Sequence, residues 1–399
     1  MKHLAVLGST GSIGTSTLSL CESFPDRYQP IALAAGHNLD VALAQCLRWR
    51  PKLISVASEA LAAQLSSRLK QNGLTQVEVV HGTPGAVQVA TLPEVDFVVS
   101  AIVGVAGLEA TYEAILAGKT IGLANKECLV AAGDLIMAAA REHNVALLPI
   151  DSEHNAIHQC LRGGKPSEVK QIWLTASGGP FRNTPAEDFR NITPQQALQH
   201  PTWVMGQRIT IDSATMMNKG FEVIEACQLF SLPPAQVRVS VHPQSTVHSL
   251  VEFQDGSILA QISVTDMRLP ILYALAFPER PAAPPVTETA PPLTFDLANL
   301  SRFDFFPPDL DRFPCLRLAY EAAAAGPSAC IALNAADEVA VAAFLEGRIP
   351  FLGIPRTIEA VLSQTPFAAP SSIKEVLAAD VAARARAADL IAHLTPAGV

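Results

Sequence analysis

Two acidic residues with one residue between them stand near the middle of the chain, in the segment Asp151-Ser152-Glu153. In an extended backbone the side chains at positions i and i+2 point to the same side, so both carboxylates can share one divalent cation. The same residues could instead begin a helix, with Asp151 or Ser152 as the N-cap and Glu153 favourable in the first turn. The residues alone leave both interpretations open.

A second cluster of polar side chains is the stretch DSATMMNKGFE, which ends at Glu222. Ser213, Asn218 and Lys219 are donors suited to a phosphate group, and Glu222 could supply a third oxygen ligand to a metal. The alternative is a capped helix that carries Glu222 and Glu225 on its surface. Oxygen ligands without a thiolate favour Mg²⁺ or Mn²⁺ over zinc.

Three further segments carry polar groups whose role the spacing does not decide. Ser177 precedes two glycines, a pattern typical of an anion-binding turn. The segment HPTWVMG, with Trp203 at its centre, predicts either a mobile lid around 199–207 or a packed loop. His154 and His158 have the i, i+4 spacing of a helical zinc site, but histidines satisfied within a helix are the favoured interpretation.

A glycine-rich loop, GSTGSIG at 8–14, follows the first apolar run and opens a helical pattern. Glycines allow a tight turn and a close approach to a pyrophosphate, which the helix N-terminus then binds. The pattern favours a dinucleotide site over a plain structural turn. No acid stands in the following segment AGHN at 35–38, which favours NADP over NAD because a carboxylate would repel the 2′-phosphate.

The elements that must position these residues are predicted by hydrophobic periodicity. Continuous apolar runs alternate with Ala/Leu-rich helical patterns through residue 150, which predicts a doubly wound, Rossmann-like parallel sheet covered by helices on both faces. The predicted strands are 3–7, 30–35, 53–57, 77–80, 97–102, 120–124 and 145–150.

Beyond residue 150 the pattern changes twice. Residues 151–277 mix strand-like runs with polar loops and are expected to form an α+β catalytic domain. Six prolines among residues 278–292 predict an extended linker over 278–312. Residues 313–399 predict a C-terminal helical domain with a supporting role, in which Asn334 would cap an amphipathic helix.

Composition excludes several classes of protein. The 399 residues are 49% hydrophobic and 16% charged, which supports a packed core and excludes a disordered chain. A formal net charge of −9 without a Lys/Arg run argues against a nucleic-acid partner. No apolar run reaches the length of about 18 residues that a membrane span needs, and the N-terminus lacks a signal-peptide core. Seven scattered cysteines indicate reduced thiols and a cytoplasmic protein.

These residues together predict a metal-dependent, NADP-linked enzyme that acts on a phosphorylated, oxygen-rich small molecule. In order along nearly the whole chain, the motifs resemble the 1-deoxy-D-xylulose 5-phosphate reductoisomerase family of the non-mevalonate isoprenoid pathway. The matching motifs are LGSTGSIG (7–14), AGHN (35–38), LANKE (123–127), PIDSEHNAI (149–157), SGGPF (177–181), HPTWVMG (200–206), DSATMMNKGFE (212–222), HPQS (242–245) and LNAADEVAVAAFL (333–345).

The resemblance implies a role for each matching position. The ligands of Mg²⁺ or Mn²⁺, with Co²⁺ as a third option, would be Asp151, Glu153 and Glu222. The substrate would contact Lys126, Ser152 and Glu153 at its reacting end, Ser177, Ser213, Asn218 and Lys219 at its phosphate, and His200, Trp203 and Glu222. The NADPH site would comprise Thr10, Gly11, Ser12, Ile13, Gly36, His37, Asn38, Asn125, Glu127, Met205 and Gly206. Catalysis would rest on Lys126, Asp151, Glu153, His200 and Glu222.

The resemblance also implies a homodimer and a reaction in two steps. The carbon skeleton would rearrange to 2-C-methyl-D-erythrose 4-phosphate, and NADPH would then reduce the new aldehyde to 2-C-methyl-D-erythritol 4-phosphate. Another NADP-linked dehydrogenase of a phosphorylated substrate, or a non-catalytic NADPH sensor, would have no need of three acids around a hard cation. His37 stands where the family often has a basic residue, so NADPH affinity is expected to weaken between about pH 6 and 8.

Overall fold

A computed structural model describes residues 1–201, 203, 205–286, 291–294, 296–300, 302–365 and 368–394. The chain forms two compact units, each assembled from separate stretches of sequence. The first unit comprises Met1–Cys128, Ile136–Asn155 and Asp266–Phe295, and the second comprises Leu129–Leu135, Ala156–Thr265 and Asp296–Val399. The predicted domain boundaries after residues 150, 277 and 312 stay a prediction. The two compact units do not test these boundaries, because each unit combines segments from several of the predicted domains.

A seven-stranded sheet forms the centre of the first unit, and all of its pairings are parallel. Its strands are β1 (Lys2–Leu7), β2 (Tyr28–Ala34), β3 (Leu53–Val56), β4 (Glu78–His81), β5 (Phe97–Ser100), β6 (Thr120–Leu123) and β7 (Leu147–Pro149). Their order is β4-β3-β2-β1-β5-β6-β7, so the winding direction reverses between β1 and β5. The predicted doubly wound sheet is confirmed, and ligands of such sheets bind at this reversal, beyond the carboxyl ends of the strands.

Helices cover both sheets of the protein. They are α1 (Ser12–Ser23), α2 (Leu39–Trp49), α3 (Glu59–Gln71), α4 (Gly82–Thr91), α5 (Leu108–Leu116), α6 (Glu127–Glu142), α7 (Ser152–Cys160), α8 (Pro194–Ala197), α9 (Gln207–Thr215), α10 (Met217–Phe230), α11 (Arg268–Ala276), α12 (Pro314–Ala325), α13 (Pro327–Leu345), α14 (Gly353–Ser363) and α15 (Ile373–Leu394). Helix α11 belongs to the first unit, where Ile271 and Leu275 share one apolar core with Leu4 and Phe97.

The second unit contains a four-stranded mixed sheet. Its strands are β8 (Val169–Ala176), β9 (Val237–Val241), β10 (Val247–Phe253) and β11 (Ile258–Ile262), in the order β11-β10-β8-β9. Strand β10 pairs antiparallel with β8 and β11, whereas β8 and β9 are parallel. One apolar core joins this sheet to the C-terminal helices, since Ile172 and Val251 of the sheet cluster with Leu333 and Ile391. The predicted α+β region and helical tail are both present.

Helix α13 begins earlier than the sequence analysis predicts. Gly326 has φ 109° and Pro327 occupies the first turn, a favourable start because proline lacks the N–H that the first turn leaves unused. Asn334 therefore lies inside the helix and is fully buried, so the prediction that it caps the helix is wrong. Asp337 is fully buried as well, and both residues face the interior of the second unit.

Helix α13 is also long and apolar enough to cross a membrane by length and composition alone. Its most apolar window is 72% buried inside the protein, as expected for a helix at the centre of a globular core. The helix therefore gives only weak evidence for a membrane span.

Candidate functional site

The glycine-rich loop between β1 and α1 is held by tight backbone packing. Gly8 has φ 81°, and a Cβ atom there would come within 2.4 Å of the Ala101 carbonyl oxygen. A Cβ atom on Gly14 would lie 2.3 Å from the Gly8 oxygen. Helix α1 starts directly after Gly11, and no side chain of the described residues caps it there. The loop thus places the first turn of α1, with its backbone N–H groups, at the carboxyl end of the sheet, as a dinucleotide site requires.

The segment AGHN lies beside this loop at the end of β2. The backbone N–H groups of Gly8 and Ser9 donate to the Ala34 oxygen at 2.8 Å. The Thr10 hydroxyl donates to the Ala35 oxygen, also at 2.8 Å. Gly36, His37 and Asn38 follow and are exposed, and the Asn38 side chain caps α2 by accepting from the Val41 N–H at 3.1 Å. The structure thus brings Thr10, Gly11, Gly36, His37 and Asn38 into one region.

Asn125 joins two loops at the same edge of the sheet. Its amide donates to the carbonyl oxygens of Ile102 and, at 2.9 Å, Gly104. Its oxygen accepts from the Cys128 N–H at 3.2 Å, in the first turn of α6. Asn125 therefore fixes the loops that precede α5 and α6 and keeps Lys126 and Glu127, both buried, at the carboxyl end of β6.

Asp151 and Glu153 lie beyond the end of β7, at the start of α7. Carboxylate oxygens of the two residues lie within 4.8 Å of each other. The Lys126 Nζ atom is 2.7 Å from Asp151 Oδ2, and both side chains are about nine-tenths buried. The Ser152 hydroxyl donates to the Glu153 carboxylate. The Glu153 N–H donates to Asp151 Oδ1 at 3.2 Å, so Asp151 caps the helix, while the shared cation stays a prediction.

Opposing effects set the protonation of Asp151. Burial favours its neutral form, but the ammonium group of Lys126 and a hydrogen bond from His154 outweigh burial and hold the pKa well below its usual range. Asp151 is therefore an ionised carboxylate near neutral pH, as a metal ligand must be. His154 is fully buried on α7, with Nδ1 3.4 Å from Asp151 Oδ1, which agrees with its interpretation as a helix histidine.

Helices α9 and α10 form an elbow in the second unit that carries the second polar cluster. Met216 joins them in a left-handed conformation, with φ 62°. On α10, Asn218 donates to Glu222 Oε1 at 2.6 Å, and the Lys219 ammonium group contacts Glu222 Oε2. Lys219 and Glu222 are both buried, so the alternative in which Glu222 lies on a surface helix is wrong.

The loop that contains Ser177 packs against this elbow. Gly179 has φ 67°, and a Cβ atom there would come within 2.6 Å of the Ser213 carbonyl oxygen. The Gly179 N–H donates to the Ser177 hydroxyl at 3.2 Å. Because the glycine brings the two backbones into contact, the loop and the elbow lie side by side, and Ser177 and Ser213 belong to one region of the second unit.

His200 connects the predicted lid to this region. Its Nδ1 accepts from the Trp203 N–H at 2.9 Å, so Nε2 carries the ring proton and donates to the Ser177 hydroxyl at 3.1 Å. Burial lowers the pKa of His200, which favours this neutral ring. Met205 is half-buried and Gly206 exposed, whereas Thr202 and Val204 of the predicted lid lie outside the described residues.

Two interactions in the second unit, one of His248 and one of Arg208, could not be predicted from any sequence motif. His248 of β10 is buried, and its pKa is lowered by burial and by the nearby charge of Lys219. Arg208 of α9 contacts acidic residues of α13. Both pairs are far apart in sequence and meet only in the folded chain.

Comparison with known proteins gives one family. Models of 1-deoxy-D-xylulose 5-phosphate reductoisomerase match residues 4–133, and models of its C-terminal domains match residues 147–230 and 262–386. A relative of that name from Solibacter usitatus is 52% identical over 98% of this chain and 97% of its own length. Another from Dechloromonas aromatica is 52% identical over 98% of each chain.

Solved structures agree with these relatives. A DOX-P reductoisomerase in complex with NADPH, fosmidomycin and magnesium has a TM-score of 0.93 and 42% identity, with 100% of both chains covered. The 1-deoxy-D-xylulose 5-phosphate reductoisomerase of Zymomonas mobilis in complex with NADPH has a TM-score of 0.89 and 45% identity, covering 98% of this chain and 99% of its own.

Proposed function

This chain belongs to the 1-deoxy-D-xylulose 5-phosphate reductoisomerase family, and we propose that the residues described above carry out the reaction of that family. The chain is an NADPH-dependent enzyme of the non-mevalonate isoprenoid pathway, and it converts 1-deoxy-D-xylulose 5-phosphate into 2-C-methyl-D-erythritol 4-phosphate with a divalent cation. The observation that carries this conclusion is 52% identity over nearly the whole chain. The assignment of individual residues to roles is our proposal.

The proposed metal ligands are Asp151, Glu153 and Glu222. The donor set fits a hard cation, because carboxylate oxygens of Asp151 and Glu153 lie within 4.8 Å of each other and Glu222 adds a third carboxylate of the same chemistry. When bound, Mg²⁺, Mn²⁺ or Co²⁺ would supply Lewis-acid stabilisation and a template for the substrate oxygens. The ammonium group of Lys126 holds the pKa of Asp151 low, and that of Lys219 contacts the Glu222 carboxylate and orients it.

The proposed phosphate-binding residues are Ser177, Ser213, Asn218 and Lys219. The tight packing of Gly179 on Ser213 supports the proposal, because it keeps two donor segments side by side. The hydrogen bond from His200 to Ser177 ties the lid to the same region, so phosphate binding can favour lid closure over the substrate. In this proposal Trp203 covers the substrate, and Met205 and Gly206 lie near the nicotinamide.

At the reacting end of the substrate, Lys126, Ser152 and Glu153 are the proposed partners. Lys126 and His154 hold the pKa of Asp151 low, so Asp151 stays ionised and other groups must donate or accept protons during the reaction. The Ser152 hydroxyl donates its one proton to Glu153, so its oxygen is left to accept a hydrogen bond from a substrate hydroxyl. Water exclusion by the lid strengthens these interactions while the skeleton rearranges and the hydride transfers.

NADPH binding is assigned to the loop before α1 and to the neighbouring strand ends. The close packing of Gly8 and Gly14 supports the assignment, since it fixes the loop against the start of α1, where the first-turn N–H groups would bind a pyrophosphate. The proposed contacts are Thr10, Gly11, Ser12, Ile13, Gly36, His37, Asn38, Asn125, Glu127, Met205 and Gly206. Exposed His37 and Asn38 can donate to the 2′-phosphate.

We also propose that the chain forms a homodimer and acts in the cytoplasm. Strand β11 is at the edge of its sheet, and Ile258, Leu259 and Ile262 on it are exposed, which is typical of a surface that pairs with another chain. All seven cysteines are free, as expected in a reducing compartment. Light scattering of the purified chain should give twice the monomer mass, and Ile258→Lys with Ile262→Lys should give the monomer.

The experiment that tests the reaction follows NADPH absorbance with 1-deoxy-D-xylulose 5-phosphate as substrate. Oxidation is expected with Mn²⁺ present and should stop when the metal is chelated. A simple dehydrogenase would continue without the metal, and an NADPH sensor would oxidise nothing under either condition. Either result from a folded chain would contradict the proposed residue roles.

A further inference from the structure

Arg208 is the second residue of α9, the helix that carries Ser213 and leads into α10. It directly follows the predicted lid, around 199–207, and Gly206 is the N-cap of the helix. The Thr210 hydroxyl donates to the Gly206 oxygen at 2.8 Å, so the start of α9 and the end of the lid are joined. Arg208 therefore lies at the start of the helix that leads into the elbow and its donors.

Arg208 is surrounded by acidic and polar groups of α13. Its guanidinium donates to Glu338 Oε1 at 2.9 Å and to Asn334 Oδ1 at 3.0 Å. The Asp337 carboxylate lies 3.6 Å from it, at the same distance as Asp212 on its own helix. The guanidinium of Arg208 thus faces three acids: Asp212 of its own helix, and Asp337 and Glu338 of α13.

A second arginine completes the network from α15. Arg384 donates to Glu338 Oε2 at 2.6 Å and to Asp380 at 2.6 Å. Glu338 is therefore held between two guanidinium groups and cannot follow Arg208 if α9 moves. Asp337 is fully buried, and burial together with the charge of Asp212 raises its pKa well above the usual range.

We propose that Arg208 is a positioning residue for phosphate binding, and that α13 and α15 hold it so that the elbow α9–α10 keeps its geometry before the substrate arrives. The proposal rests on the assignment of Ser177, Ser213, Asn218 and Lys219 to the phosphate. It gives the C-terminal helices a part in substrate recognition, beyond the structural support that the sequence predicts. A group that is already oriented binds its ligand without the entropic cost of ordering it.

Steady-state kinetics of the full chain with NADPH and Mn²⁺ test the proposal. Arg208→Gln removes the charge, Arg208→Lys keeps it, and Glu338→Gln removes the partner. Arg317→Gln is the matched control, because Arg317 pairs with Glu321 and Glu359 on the exposed surface of the same unit. We expect Arg208→Gln to raise the KM for 1-deoxy-D-xylulose 5-phosphate about tenfold, since hydrogen bonds to charged groups contribute on that order.

The KM for NADPH should stay within about twofold of wild type in every variant, and Arg208→Lys should keep the substrate KM within about threefold. A substrate KM that is unchanged in Arg208→Gln, or one that rises together with the NADPH KM, overturns the proposal. If Arg208→Gln does not fold, Glu338→Gln decides: a raised substrate KM alone supports the proposal, and an unchanged one refutes it.

A binding measurement separates this inference from the proposed function. Inorganic phosphate should raise the Tm of wild type and of Arg317→Gln, and should raise the Tm of Arg208→Gln much less. Equal gains in wild type and Arg208→Gln overturn the inference, whether or not the chain turns over. If the wild type gains Tm with phosphate and Arg208→Gln gains much less, the role of Arg208 is supported even when the chain oxidises no NADPH, and only the proposed reaction is contradicted.

Discussion

At the scale of single residues, the two buried acids Asp151 and Glu222 contact different cationic and polar neighbours. Lys126 and His154 hold Asp151 ionised, and Asn218 and Lys219 contact Glu222. A carboxylate that is buried beside an ammonium group is costly to remove, since the ammonium would then be left without its counter-charge. These pairs orient the proposed ligands Asp151 and Glu222 before a cation binds.

Replacing Glu222 by Gln should reduce NADPH oxidation by about 100-fold or more, because an amide is a poor ligand for a hard cation. Mn²⁺ affinity, measured by calorimetry, should fall with it. Glu321→Gln is the control, an exposed acid of the same unit that pairs with Arg317. Wild-type Mn²⁺ affinity in Glu222→Gln would remove Glu222 from the ligand set.

The lowered pKa of His200 leads to a pH prediction. The folded state prefers the neutral ring. Its contribution to the stability of the fold is therefore fully present above about pH 6.5, the ordinary pKa of histidine, and is lost as the pH falls through the lower pKa of the folded state. Histidine NMR signals of the wild type should include one that titrates below about 6.5 and is missing in His200→Gln. A signal that titrates above this value and disappears in the variant would contradict the hydrogen bonds of His200 to Trp203 and Ser177.

At the scale of elements, the turn from β1 into α1 depends on glycine for lack of space. A Cβ atom on Gly14 would meet backbone atoms of Gly8 and Ser9 at 2.3 and 2.5 Å, and backbone cannot move aside as a flexible side chain can. The helix and the loop are thus fixed against each other. The same reason explains Gly179, which brings the Ser177 loop onto α9.

Gly14→Ala should therefore push the loop away from α1 and raise the KM for NADPH more than about tenfold, as expected for a misplaced binding loop. Thr15→Ala changes the exposed neighbour on the same helix and should leave this KM within about twofold. The KM for the phosphorylated substrate should change little in either variant. An unchanged KM for NADPH in folded Gly14→Ala would argue against this loop as the cofactor site.

At the scale of the whole molecule, the C-terminal helices and the mixed sheet share one core in the second unit. Buried charge is concentrated where α9 and α13 meet. Asp337 is fully buried there, facing Arg208 and Asp212 of α9, Cys315 of α12 and Glu338 of its own helix. Such a buried acid couples the stability of the unit to pH.

Burial, with the charge of Asp212, raises the pKa of Asp337 although Arg208 opposes the shift. An acid with a raised pKa binds its proton more tightly in the folded state, so its favourable contribution is present below about pH 3.9 and is lost as the pH rises through the folded pKa. Asn imitates the neutral acid at every pH. Asp337→Asn should therefore raise the Tm at pH 8 by about 2–4 °C, and the gain should shrink toward pH 4.

Thermal unfolding at both pH values checks this expectation, with Asp389→Asn on α15 as the control. A lower Tm for Asp337→Asn at pH 8 would mean that the folded chain needs the ionised carboxylate beside Arg208. The sign of the difference between the two pH values therefore distinguishes a protonated Asp337 from an ionised one.

The sequence determined the elements that depend on local pattern. Apolar strands alternating with helical periods predicted all seven parallel strands, and the motif set identified the family, because both signals lie in continuous stretches of the chain. The roles of Asp151, Ser152 and Glu153 at a metal and substrate site stay predictions, because spacing along the chain does not show what a side chain binds. The phosphate-binding role of Ser213, Asn218 and Lys219 stays a prediction for the same reason.

Only the tertiary structure decided how distant stretches combine. Helix α11 shares a core with β1, α13 begins at Pro327, and Asn334 is buried inside the helix that the sequence predicted it to cap. The contacts of Arg208 with Glu338 span 130 positions. Periodicity cannot reveal such contacts, because it reports which face of an element is buried and not which partner buries it.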